Sequence, residues 1–282
     1  MTTLTEGQPI VRRGRLSLNR DAWRRILIGI VLLYVSVLVL APVAALILGA
    51  FAEGISAVVT ALTQPEVLSA FWRTLYIALI ALLVHTVFGT IVAWVLVRHH
   101  FPGRQWLNGL LDLPFATSAV VVGYMLLLIF GRNGLLGPWL AALNVKVAFA
   151  LPGMILATLF VTLPFMVREL MPVLEALDVE QDQASATLGA SGWQTFWWVT
   201  FPALRWGFIY GVTLTFARAL GEFGAVLVIG GGAQGATETA TLYIFRALDE
   251  RQYVGAYSAA LGLGLLSLIL VVGSDLLRRR EK

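Results

Sequence analysis

The sequence predicts an all-α integral membrane protein of six transmembrane helices with both termini on the cytoplasmic side. Three observations predict it. Apolar residues make up 59% of the 282-residue chain and charged residues only 13%, too few charges to cover a water-soluble surface of that size. Six apolar runs recur, near residues 26–51, 72–97, 113–130, 148–167, 206–230 and 253–277, each close to the roughly 20 residues that a membrane helix needs. Lysine and arginine fall unevenly between the connections, and cytoplasmic flanks retain positive charge during insertion.

The first run follows a polar, basic segment, residues 1–25. At Ile26 to Phe51 it exceeds the roughly 7 to 15 apolar residues of a cleavable signal, so it is expected to stay in the mature protein. An inside N-terminus puts Arg12, Arg13, Arg15, Arg20, Arg24, Arg25, Arg98, Arg104, Arg168, Arg205, Arg278, Arg279, Arg280 and Lys282 in the cytoplasm. Arg73, Arg132, Lys146, Arg246 and Arg251 then lie outside, and Arg218 falls within a span. The chain thus divides into the cytoplasmic segment 1–25, a six-helix domain 26–277 and a cytoplasmic tail 278–282. This asymmetry accounts for the basic balance, net +4, without a nucleic-acid partner.

The second span carries His85, read as a neutral imidazole bonded to a neighbouring helix rather than as a proton relay. The longest cytoplasmic connection, 168–205, joins the fourth and fifth spans. In it, Glu175 to Leu188 reads as a short amphipathic helix that Gly189 and Gly192 end, and Trp193, Phe196, Trp197 and Trp198 follow as an interfacial aromatic group. This connection is either a solvated linker with an aromatic belt or a docking element.

The fifth span carries Arg218 and Glu222, four residues apart and therefore on one helix face. Unpaired, each would cost about 2.5 to 3.5 kcal/mol at mid-bilayer, so they are expected to pair. The pair either lines a translocation path, with Arg218 offering positive potential to an anion, or fixes helix packing. Beyond it come Gly224, Gly230, Gly231, Gly232 and Gly235, with Thr237 and Thr239. These either donate amides to a passing anion at a broken helix or form a flexible loop. Gly131, Gly134, Gly137 and Pro138, on the same outer side, either meet a binding protein or merely turn the chain. Gly262 and Gly264 in the last span are read as close helix packing.

Several chemistries are excluded. Zero cysteines rule out disulfides, iron–sulfur ligation and a thiol nucleophile. His85, His99 and His100 are too few and too scattered for a metal site. The two lysines, Lys146 and Lys282, are not preceded by the glycines of a nucleotide-binding G-x-x-x-x-G-K-[ST] loop. Nothing resembles a paired-carboxylate or Ser-His-Asp constellation, so the chain itself is not expected to be an enzyme.

The 168–205 connection carries a resemblance. Gln183-Ala184-Ser185, three residues, Gly189, nine residues, then Val199-Thr200-Phe201-Pro202 matches in spacing the "EAA, three, G, nine, I-x-L-P" loop of ABC-importer permeases. Gln183 stands for the glutamate, Ser185 for an alanine and Phe201 for a leucine. The blocks Phe101-Pro102-Gly103-Arg104-Gln105, Asp112-Leu113-Pro114-Phe115, GRNGLLGPWL from Gly131, Pro164 through Pro172 and FARALGEFGAV from Phe216 resemble the sulfate/thiosulfate permease subfamily, most of all its W-type subunit. The resemblance covers nearly the whole chain after the first helix. One departure is Ala119, where a proline and a local kink are expected.

The resemblance implies the type I ABC importer permease fold and a bacterial inner-membrane location. It implies an ATPase-coupling element formed by Asp182, Gln183, Ala184, Ser185, Leu188, Gly189, Val199 and Pro202, whose small residues permit close approach to a partner. It implies a homologous T-type permease, two copies of an ABC ATPase that bind ATP and Mg, and a periplasmic sulfate-binding protein, with no cofactor in this chain. A molybdate or tungstate importer is the near alternative. An ATP-independent secondary anion transporter is a further one, which inverted repeats with interrupted helices would favour; no internal repeat is visible.

Overall fold

The structure is a computed structural model that describes residues 18–177 and 179–279. Residues 1–17 of the basic N-terminal segment and 280–282 of the tail lie outside the described residues. Every regular element among the described residues is a helix. The chain falls into two units that divide between Leu48 and Gly49. The first consists of most of α1 (Leu18–Ala50), which contains Pro42. This helix starts eight residues before the predicted Ile26 because no Gly or Pro interrupts the chain between them.

The second unit opens with α2 (Ile55–Leu62), then α3 (Pro65–Val84), a π-helical turn (His85–Gly89) and α4 (Thr90–Arg98). These last three form one helix of 34 residues. It begins seven residues before the predicted 72, since Pro65 occupies the first turn, where its missing N–H costs nothing. Next come α5 (Arg104–Leu111), α6 (Leu113–Ala116), α7 (Ala119–Phe130) and α8 (Gly137–Ala142). The central α9 (Leu151–Ala176) leads to α10 (Val179–Thr187), α11 (Gly192–Thr195) and a second π-helical turn (Phe196–Thr200). The chain closes with α12 (Phe201–Leu220), α13 (Gly224–Gly230), α14 (Ala240–Asp249) and α15 (Tyr253–Arg279).

Among the described residues, four helices are long and apolar enough to cross a membrane: Trp23–Ala50, Pro65–Arg98, Leu151–Ala176 and Tyr253–Leu276. The bent pair Gly192–Leu220 and Gly224–Gly230, which meets at 54°, makes a fifth if it is one span. The predicted run 113–130 is not a continuous helix. Thr117 and Ser118 are extended between α6 and α7, and the 12 residues of α7 reach only about 18 Å at 1.5 Å per residue. The break expected of a proline at position 119 is therefore present with alanine, because the turn precedes Ala119 and makes it the first residue of α7.

Packing centres on α9, which runs against α3, α4, α7, α12 and α13. Small residues set the closeness. A Cβ on Gly211 of α12 would lie 2.9 Å from Met166 Sδ, and one on Gly89 would lie 2.9 Å from Met166 Cγ, so only glycine lets both neighbours meet the same methionine. Around it Leu96, Leu111, Leu170, Leu174 and Leu204 form one apolar cluster. A second joins Val122, Met154, Ala157, Ala225 and Ile229. On the flank of α9, Arg168 donates to both Asp112 carboxylate oxygens, at 2.9 and 2.6 Å, and to Asn108 Oδ1 at 2.9 Å. That bidentate grip fixes the α5–α6 corner. In α15, Gly262 lies at ordinary contact distance from Phe71, whereas Gly264 faces open space; close packing within this chain is thus corrected for Gly264.

Candidate functional site

The connection 168–205 folds as a helical hairpin between α9 and α12. The helix expected over 175–188 is Val179–Thr187, since α9 itself continues to Ala176. Gly189, at φ 88°, closes α10 in a conformation that side chains with a Cβ resist. Gly192, expected to help end that helix, instead opens α11. There Ser191 Oγ accepts from the Gln194 amide at 3.4 Å while Gln194 Oε1 accepts from the Ser191 amide at 2.8 Å, a reciprocal cap.

Polar ties hold the hairpin onto the bundle. Ser185 Oγ lies 2.7 Å from Thr195 Oγ1, linking α10 to α11. Asp182 Oδ1 accepts from Thr200 Oγ1 at 3.1 Å, and Oδ2 lies 3.4 Å from Arg98 at the end of α4. Asp182 is thus turned inward. Gln183, Ala184, Leu188 and Gly189 are exposed, and Leu188 is 89% exposed. Val199 is half-buried in the second π-turn, and Pro202 sits exposed in the first turn of α12. Trp193, Phe196, Trp197 and Phe201 contact one another in sequence, and Phe196 meets Trp94 edge-on at 5.5 Å. Together they line an apolar groove of about 560 Å³ beside α4.

The second feature is the break between α12 and α13. Arg218 Nη1 lies 2.8 Å from Glu222 Oε2, so the pair expected from sequence forms. It does not sit on one continuous helix face, because α12 stops at Leu220 and Glu222 lies in the break. The contact is an ion pair without a directed hydrogen bond to that oxygen. Glu222 Oε1 instead accepts from the Ala225 amide at 3.1 Å, capping α13 at its positive end. The Glu222 carbonyl accepts from Thr241 Oγ1 at 2.7 Å. The Glu222 side chain is 2% exposed and that of Arg218 is 32% exposed. The cation is therefore the accessible member of the pair. Gly224 is buried where a Cβ would lie 3.2 Å from the Ala119 Cβ, bringing α13 against α7.

The glycine-rich segment after α13 folds as a turn braced by side-chain hydrogen bonds. Gly230 is buried and faces Met154. Gly231 is exposed at φ 73°. Thr237 is buried, accepts from the Ala233 amide at 2.9 Å and donates to the Gly230 carbonyl at 2.7 Å. Thr239, also buried, lies 3.1 Å from Thr241 Oγ1. The hydroxyl of Thr237 braces the turn and is not free for an anion. Thr237→Val is expected to destabilise the chain by about 1–3 kcal/mol, the cost of a buried unmet partner, read as a lower thermal midpoint in detergent; an unchanged midpoint would contradict the bracing role.

Sequence reasoning treated several arginines only as topology markers. Arg246 in α14 lies 2.6 Å from Glu238, 2.9 Å from Glu250 and 3.2 Å from Glu66. The hydrogen bond that Arg246 donates to Glu238, outweighing burial, raises its pKa above the ordinary arginine value. Arg73 donates to the carbonyls of Gly235 and Glu238 at 2.6 Å each. Glu250 stands at the local i,i+4 spacing, but the other partners are 8 to 180 residues away in sequence, so no local spacing announces them. His85 Nε2 lies 3.0 Å from both the Leu159 carbonyl and Thr162 Oγ1 of α9, as expected of an imidazole bonded to a neighbour. Among the described residues no group of three or more His, Cys, Asp or Glu could hold a metal ion.

Several long apolar helices, one of them half-buried, a broken helix with a capped ion pair and a folded hairpin describe a multi-pass membrane permease. The family described as binding-protein-dependent transport system inner membrane component matches residues 85–282, and the chain belongs to it. Within that family the chain is similar to sulfate transport system permease proteins. It is 45% identical over 263 residues to CysW of Escherichia coli K12, covering 93% of this chain and 90% of that one. It is 44% identical to CysW of Synechocystis sp. over 90% of this chain and 92% of that one. CysT of Escherichia coli K12 is 39% identical, over 90% and 91% respectively. Among solved structures, a bacterial ABC transporter for the import of the acidic polysaccharide alginate superposes with a TM-score of 0.78 over 93% of this chain and 97% of that one. At 17% identity that likeness is one of fold.

Proposed function

We propose that the chain is the W-type permease subunit of an ATP-driven importer of sulfate and thiosulfate in a bacterial inner membrane. It forms half of the pathway beside a homologous T-type permease. Two copies of an ATPase bind ATP and Mg on the cytoplasmic side, and a periplasmic sulfate-binding protein delivers the anion. The observation that carries this reading is the 45% identity, spread over 93% of the chain, to a sulfate transport permease.

The geometry adds physical support. Six crossings with both termini inside follow if α6 and α7 together make the third and the bent α12–α13 pair the fifth. Ala184, Leu188 and Gly189 then present a small, apolar, exposed surface that suits a groove on an ATPase. Arg218, more accessible than its carboxylate partner, lends positive potential to a dianion at the helix break. Transient affinity suits conduction, because a deep well slows release. The interrupted helix α12–α13 does not by itself favour a secondary transporter, since the exposed hairpin would then have no role.

The test is uptake of radiolabelled sulfate, thiosulfate and molybdate in cells expressing the chain with and without its partner chains. Sulfate uptake that requires the ATPase chain is expected. Uptake by this chain alone on an ion gradient, or a preference for molybdate, would overturn the reading.

A further inference from the structure

The 34-residue helix Pro65–Arg98 is held at three places by elements that matter to transport. At its C-terminal end, Arg98 is 3.4 Å from Asp182 of the hairpin and donates to the Leu177 carbonyl at 3.4 Å. Asp182 in turn accepts from Thr200. The Arg98 side chain is only 12% exposed, and its Nε is buried without a partner, unlike a solvent-screened surface pair, which contributes little. At the other end, Arg73 grips the carbonyls of Gly235 and Glu238, and Thr74 Oγ1 accepts from the Ala240 amide at 2.8 Å. The first contact holds the glycine-rich turn that follows the broken helix, and the second holds the first residue of α14.

Between the two ends, the π-turn His85–Gly89 is fastened to α9. His85 bonds the Leu159 carbonyl and Thr162, and Gly89 admits Met166. A π-turn inserts an extra residue into the hydrogen-bond ladder and marks a place where a helix accommodates a change of direction. From Arg73 to Arg98 the helix spans about 38 Å at 1.5 Å per residue, more than the roughly 30 Å hydrocarbon core. Of the two helices joined to the hairpin in sequence, α9 is the central one against which the others pack, and α12 breaks at Gly221 and meets α13 at 54°.

We propose that Arg98 and Arg73 are positioning residues that make Pro65–Arg98 a lever, pivoted at His85–Gly89, through which displacement of the hairpin reaches the glycine-rich turn. The helix is stiff along its axis, each end is bonded to a segment expected to move, and its middle is fixed to the central helix. Neither arginine touches the anion.

This lever rests on the importer function proposed above, so the test uses the complete complex in proteoliposomes with its ATPase and binding protein. Two quantities are read: sulfate uptake, and ATP hydrolysis with loaded binding protein divided by hydrolysis without it. Arg98→Gln, Asp182→Asn and Arg73→Gln are each expected to lower that ratio at least fivefold and uptake at least tenfold, although Arg73 lies at the far end of the helix. The exchange Arg98→Asp with Asp182→Arg is expected to regain most of the ratio. Because the chain has no cysteine, Arg98→Cys with Asp182→Cys can be joined by a short cleavable bis-thiosulfonate linker; linking should restore uptake and cleavage should remove it again. A working wild type whose single variants keep the ratio within twofold overturns the lever alone, as does a linked pair that regains nothing. A wild-type complex that imports no sulfate overturns the importer function and the lever with it.

Discussion

Replacing Arg218 with alanine is expected to abolish sulfate uptake while the chain still assembles with its partners. A cation and a dianion about 8 Å apart, at an effective dielectric near 20, attract by about 4 kcal/mol. Losing that attraction on the pathway corresponds to a fall of about 1,000-fold. The same substitution strands the Glu222 carboxylate, whose side chain is 2% exposed, and breaking a buried pair costs about 3–5 kcal/mol. The double variant Arg218→Ala with Glu222→Gln separates the two effects. The neutral amide keeps an oxygen for the Ala225 amide, so α13 stays capped, and no buried charge is left unpaired. If the arginine serves the anion, uptake remains lost in the double variant although the complex purifies intact. If the pair only fixes packing, the double variant recovers stability and uptake together, and the pathway role is wrong.

Gly137→Ala is expected to produce the largest structural loss of any single methyl group added outside the central helix. A Cβ at that position would lie 2.4 Å from the Gly131 carbonyl oxygen and 2.5 Å from that of Arg132. These are backbone atoms that no rotamer change can move aside, so the turn from α7 into α8 must open. Overpacking of this kind costs about 1–3 kcal/mol, to be read as a lower thermal midpoint and a smaller folded yield in detergent. Gly264→Ala is the matched control. It adds the same methyl group to a membrane helix where nothing lies within 4 Å, and alanine favours a helix over glycine by about 1 kcal/mol, so its midpoint should hold or rise. Equal loss in both would mean that the Gly131–Gly137 turn is not packed as described.

The membrane helices were legible because their signal is local and long. A run such as 253–277 declares itself by apolarity alone, and the helix found there is Tyr253–Arg279. The hairpin spacing from Gln183 to Pro202 was legible for a similar reason, since capping and left-handed glycine are properties of neighbouring residues. The arginine-to-glutamate spacing of 218 and 222 correctly foretold a pair. It misplaced the glutamate on a helix face because nothing local distinguishes Gly221 inside a helix from Gly221 ending one.

The sequence by itself determined the class of protein, four of the six predicted spans as single helices long enough to cross and the family to which the chain belongs, because burial in lipid is an average over some twenty consecutive side chains. Only the tertiary structure decided that 113–130 is broken, that Asp182 turns inward to Arg98, that Thr237 braces a turn and that Arg73 and Arg98 hold opposite ends of one helix. Each of those depends on an ion pair, a hydrogen bond or a backbone turn whose outcome is set by partners far away in the chain, and a directional contact between distant residues has no period or composition to betray it.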